Sequence, residues 1–149
     1  MTTASLYQEL VLEHSRMPRN FGALAEHTHA ADGDNPLCGD ALHIELRVVD
    51  MRIAEMRFRG EACAVARATA SMLSERVARL DAGEIASMES RFVRVVSGEV
   101  ERDETLGDLN ALAALMHYPT RRKCALLPFA ALRAALAGAA RATTEGNPQ

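Results

Sequence analysis

Hydrophobic positions along the chain fall first at helical spacing, with Leu6 and Leu10, and Tyr7 and Val11, stacking over about Ser5 to Arg16. Met17-Pro18-Arg19-Asn20-Phe21-Gly22 stops that helix, because proline disfavours helix in the residue before it and Asn and Gly suit turns. A polar stretch follows and ends at Asn35-Pro36-Leu37-Cys38-Gly39-Asp40. From Leu42 to Val49 the pattern switches to strict alternation: Leu42, Ile44, Leu46 and Val48 share one face, and His43, Glu45 and Arg47 the other. After a turn near Asp50-Met51, Ala54, Met56 and Phe58 alternate with charged residues, which predicts an antiparallel hairpin. The helical period returns after Cys63, with Val65, Ala68, Thr69, Met72, Leu73, Val77 and Leu80 as an inward stripe to about Leu80. Further helices are expected from Glu84 to Ser97, around Leu109 to Met116, and through Cys124 to Gly138, the last kinked or restarted at Pro128.

Helix, strands, then helices predict an α+β class, with helices on one side of a small antiparallel sheet. Neither repeats nor a linker divide the 149 residues, so one domain over 6–138 and a flexible C-terminal tail over 139–149 are expected.

Composition narrows the function more than the fold. A formal charge of −3 argues against a nucleic-acid binder, whose domain carries a basic excess. Without an apolar run of the roughly 18 residues a span needs, no membrane association is expected. The N-terminus lacks the layout of a secretory signal, and three cysteines suit a disulfide framework poorly, so a cytoplasmic protein is expected.

In a reducing compartment cysteines serve as metal ligands, catalytic thiols or small buried hydrophobes. All three here stand at element boundaries: Cys38 in a loop before a strand, Cys63 between strand and helix, and Cys124 near the start of the last helix. Gly39 lets the Cys38-Gly39-Asp40 loop turn both side chains toward one ion. Zinc takes thiolate sulfur and carboxylate oxygen, four at a time in closed sites. Three cysteines and Asp40 would give a dication four anionic ligands, and such a site wants basic neighbours such as Arg121, Arg122 and Lys123. The cysteines are too widely spaced for zinc-finger patterns, so any site must be assembled by the fold. Among the histidines, His43 is read as a surface residue near the site and His14 as packing against the body, while His27, His29 and His117 lack ligand spacing.

Several motifs together resemble the IscU/NifU-type scaffold family, and its SufU branch in particular. They are Leu6-Tyr7 with His14, Pro18-Arg19-Asn20, Asn35-Pro36-x-Cys38-Gly39-Asp40, Phe58-x-Gly60-Glu61-x-Cys63, Ala70-Ser71-Met72 and Pro119-x-Arg121-x-Lys123-Cys124-Ala125. Lys123 stands where IscU-type scaffolds carry histidine, and the long interval from Cys63 to Cys124 resembles the SufU insertion, here about Met88 to Leu106. The resemblance implies a three-stranded antiparallel sheet of the SufE/IscU-like kind, its third strand near Asn35–Asp40. It also implies a zinc site of Cys38, Asp40, Cys63 and Cys124.

By the same resemblance Cys38 would accept persulfide sulfur from a SufS-like cysteine desulfurase and pass it to a SufBCD-like assembly complex. Arg121 would serve partner docking or the charge of the site. Leu37 in place of threonine, and Ala62 in place of glycine before Cys63, depart from the pattern without removing a ligand. Two other functions use the same residues: a scaffold for a transient [2Fe–2S] cluster, and a non-catalytic binding module with structural zinc.

Overall fold

The computed structural model describes residues 3–144. Helix α1 (Thr3–Arg16) leads through an irregular stretch to strands β1 (His29–Asn35), β2 (Asp40–Val49) and β3 (Arg52–Glu61). Helices α2 (Ala64–Ser74) and α3 (Ala82–Val96) follow, then a kinked 3₁₀ run (Glu104–His117), helix α4 (Pro119–Leu136) and strand β4 (Arg141–Thr143).

The α+β class holds, but the sheet is mixed and four-stranded, in the order β3-β2-β1-β4. The expected hairpin is β2–β3, closed by Asp50 and Met51 with φ of 54° and 65°. Two successive positive φ values are the primed-turn geometry that matches strand twist. The third strand lies at His29–Asn35, before the expected Asn35–Asp40, and pairs antiparallel with β2 from His29↔Leu46 to Asn35↔Asp40. Its sequence, HAADGDN, has almost no apolar alternation to advertise it.

The fourth strand was not expected at all. Arg141–Thr143 pairs parallel with β1, so the segment assigned to a flexible tail from 139 begins as an ordered edge of the sheet. Residues 145–149 of that tail lie outside the described residues.

The core forms where the inner face of the sheet meets the helices. Leu42, Ile44, Leu46, Met56 and Phe58 are buried there, and Phe92 of α3 packs on Phe129 of α4 at 5.1 Å between ring centroids. Gly33 lets α4 approach β1 closely: a Cβ there would stand 2.9 Å from that of Ala131 and 3.2 Å from Leu127. Helix α2 stops at Ser74, short of the expected Leu80. Beyond it the backbone bonds β3 instead, Arg79 N–H to Ile53 O at 2.7 Å and Ile53 N–H to Leu80 O at 2.9 Å. Val77 and Leu80 matched the helical period because both face the core, from an irregular segment. Helix α4 continues through Pro128 as one element rather than restarting there. No helix among the described residues is long and apolar enough to cross a membrane.

Candidate metal and thiol site

The site forms where the β1–β2 hairpin meets the starts of α2 and α4. Asn35 and Asp40 are register partners, so residues 36–39 are the tight connection between two strands. Cys38 N–H donates to Asn35 O at 3.1 Å, and Gly39 N–H to Pro36 O at 3.3 Å. Gly39 has φ of 74° with open space around it, so backbone conformation rather than crowding calls for glycine. The turn carries Cys38 half-buried at its tip beside Leu37, which is 66% exposed.

Asp40 opens β2 on the same face of the pleat as Leu42 and Ile44, and is buried. One carboxylate oxygen accepts from Cys63 N–H at 2.8 Å, the other from Asn35 Nδ2 at 3.4 Å. Cys63 is the extended residue capping α2 and is half-buried. Its N–H bond ties the start of that helix to Asp40. Cys124, in the second turn of α4, is fully buried.

Ligand atoms of Cys38, Asp40 and Cys124 all lie within 4.8 Å of one another, so three of the four expected ligands converge as candidates for a metal. The Cys63 thiol stands outside that trio but close enough to act on Cys124. Burial pushes the Cys124 thiol well above its usual range, and hydrogen bonding with Cys38 and Asp40 and the nearby Cys63 charge push it further. Two thiols and a carboxylate gathered this way, with a third thiol nearby, are a donor set that could hold a metal ion.

Of the basic run, Arg121 answers the thiols. A hydrogen bond to Cys124, then the charges of Cys63, Cys124 and Cys38, raise its pKa. Arg122 turns away to the carbonyls of Leu115 and Met116, at 3.2 and 2.8 Å.

The histidines stay out of the cluster. His43 bridges Asp32 and Glu45 at 2.9 and 3.0 Å, and His14 is buried with Nδ1 2.7 Å from Ser71 Oγ. The residue that sequence reasoning overlooked is Asn35. It is fully buried, and its Nδ2 reaches Cys124 Sγ at 3.6 Å as well as Asp40. Asn35 stands in the matching motif, but nothing in the pattern distinguished it from a turn residue.

Residues 6–125 match the family described as the NifU-like N terminal domain, a span that includes all three cysteines and Asp40. The chain belongs to the NifU-like N-terminal domain family. It is 31% identical over 134 residues to the zinc-dependent sulfurtransferase SufU of Bacillus subtilis (strain 168), covering 89% of this chain and 90% of that one. To the iron–sulfur cluster assembly scaffold protein IscU of Streptococcus pyogenes serotype M1 it is 30% identical over 138 residues, covering 92% and 86%. The solved N-terminal structure of a nitrogen-fixing NifU-like protein from Brucella abortus superposes with a TM-score of 0.80 at 22% identity, covering 89% of this chain and 92% of that one. That last likeness bears on the fold alone.

Proposed function

We propose that this protein is a zinc-dependent sulfur carrier of iron–sulfur cluster assembly, with Cys38 as acceptor and Cys38, Asp40, Cys63 and Cys124 as zinc ligands. The observation that carries it is the convergence of Cys38, Asp40 and Cys124 within 4.8 Å, with Cys63 tied to Asp40 through its backbone N–H. Zinc held there would keep the buried Cys124 thiol deprotonated at neutral pH and tie the β1–β2 hairpin to α2 and α4.

The chain's own residues divide the work. The hairpin tip presents Cys38 toward solvent, while Cys124 and Asp40 anchor the site from the interior. Sulfur transfer is thiol exchange: the Cys38 thiolate attacks the outer sulfur of a cysteine desulfurase persulfide. A sulfur–sulfur bond forms on Cys38, the bond within the donor persulfide breaks, and the desulfurase cysteine leaves as thiolate. Arg121 lies on the exposed first turn of α4, where its cation offsets negative charge at the site and at a docking surface. A SufS-like desulfurase as donor and a SufBCD-like complex as recipient complete this reading, which is supported by the likeness to the Bacillus subtilis protein.

The scaffold function keeps one support, the likeness to a relative named as an IscU scaffold. Lys123 next to Cys124 weighs against it, because histidine is the ligand expected at that place.

One experiment separates these functions: zinc, iron and acid-labile sulfide are measured in the purified chain, which is then incubated with a cysteine desulfurase and cysteine. About one zinc per chain, no sulfide, and a mass gain of sulfur confined to Cys38 is the expected result. Iron with matching sulfide would favour the scaffold, and zinc without sulfur uptake would leave a structural site only.

A further inference from the structure

Asn35 places a fully buried amide at the site, and its Oδ1 is left without a hydrogen bond. Its Nδ2 donates to Asp40 Oδ2 at 3.4 Å and to Cys124 Sγ at 3.6 Å, while Oδ1 is buried with no hydrogen bond. An acceptor buried without a donor is destabilising, because it gives up its hydrogen bonds to water and gains none. Rotating the amide would not relieve that cost. It would turn Oδ1 toward Asp40 Oδ2, which now receives Nδ2, and withdraw the N–H donor from both neighbours. The orientation is therefore set by the acceptors the amide faces.

The backbone of the same residue is equally fixed. Asn35 ends β1, pairs with Asp40 across the ladder, and its carbonyl accepts from Cys38 N–H at 3.1 Å. One residue thus touches three of the four candidate ligands: Cys38 through its carbonyl, Asp40 and Cys124 through its side chain.

We propose that Asn35 is a positioning residue whose amide N–H groups hold Asp40 and Cys124 in ligating geometry and hydrogen-bond the Cys124 thiolate of the metal-loaded protein. The inference rests on the zinc site proposed above. A neutral donor suits that place: it orients two anionic ligands and draws charge from a sulfur without adding an anion to a negative cluster. Aspartate, nearly the same shape, would supply no donor at neutral pH and a fifth negative group.

Cobalt(II) titration of the metal-stripped full chain tests this, with absorption spectra and chelator competition on the wild type, Asn35→Asp and Asn35→Ala. Thermal unfolding of each metal-free form runs alongside. Both variants are expected to bind cobalt about 10–100-fold more weakly, as loss of an outer partner of a metal ligand usually does. In whichever variant folds, the thiolate-to-cobalt charge-transfer band should move to longer wavelength, because an undonated sulfur holds its lone pair less tightly. Unchanged or tighter affinity would overturn the proposal. So would weaker binding with an unmoved band, since Asn35 would then act through packing alone. A wild-type chain that bound no cobalt and left all three thiols freely reactive would instead sink the metal site, and this inference with it.

Discussion

Strand β2 carries two buried carboxylates, Asp40 and Glu45, on opposite faces of its pleat, and they are satisfied in different ways. Glu45 is enclosed by complementary groups: Leu24 N–H at 2.7 Å, His43 at 3.0 Å and Arg59 at 3.3 Å. The Leu24 hydrogen bond leads in holding its pKa down to about 2, with His43 and Arg59 adding to it. Asp40 receives hydrogen bonds from two neutral amides, Cys63 N–H and Asn35 Nδ2, and otherwise faces the thiols of Cys38 and Cys124. A buried carboxylate with its cation built in is part of the fold's own stability. One gathered with thiols and held by neutral donors is a candidate partner for a cation from outside.

Zinc content should break or sustain this contrast most decisively. Apparent binding free energies of about 10–16 kcal/mol for four-ligand sites imply about 2.5–4 kcal/mol per ligand. Asp40→Ala should therefore weaken zinc binding by about 10²–10³-fold by chelator competition, whereas Glu45→Gln should leave it unchanged. Equal loss in both variants would erase the distinction.

Next in size is the difference between two thiols on the Asp40 side. In the metal-free chain, alkylation followed by peptide mass analysis should modify half-buried Cys38 on the order of a hundred times faster than fully buried Cys124. Comparable rates would remove the division between presented acceptor and interior anchor.

Glu45→Gln should cost about 1.5–3 kcal/mol of stability at neutral pH, the range for hydrogen bonds to a charged group. Because the folded pKa of Glu45 lies below the ordinary carboxylate value near 4.3, its stabilisation is fully present above that value. It is lost as pH falls toward about 2, so the wild-type and variant denaturation curves should converge between those limits.

The smallest effect expected is that of Gly33→Ala, about 1–2 kcal/mol from overpacking against Ala131 and Leu127 of α4. The added methyl presses on the helix that carries Cys124. A modest loss of zinc affinity should accompany the destabilisation, with the Glu45 cluster on the far face undisturbed. Destabilisation without any change in zinc affinity would separate α4 packing from the site.

Much of this was legible along the chain, and unevenly so. The β2–β3 hairpin announced itself because Leu42, Ile44, Leu46, Met56 and Phe58 alternate with charged and polar residues, one face meeting the core. Strand β1 gave no such signal, since its pairing is backbone to backbone and its residues are polar, small or glycine. Strand β4 is three residues long and exists only because β1 offers an unpaired edge. The helical period runs on to Leu80, past the end of α2, because burial, which the periodicity records, continues beyond the last helical turn at Ser74.

By itself the sequence determined the α+β class, the hairpin, the placement of Cys38 and Cys63 at element boundaries, and the Cys38-Gly39-Asp40 turn, whereas Cys124 lies buried inside α4. These are local properties, set by side-chain period and by backbone freedom at single residues. Only the tertiary structure decided that Cys38, Asp40 and Cys124 converge, that Asn35 joins them while His43 does not, and that Glu45 meets Arg59 whereas Asp40 meets thiols. Those contacts link residues as far apart in the chain as Asn35 and Cys124. Strand register and the approach of α4 over Gly33 fix them, and neither leaves a mark on the sequence around any one of the residues.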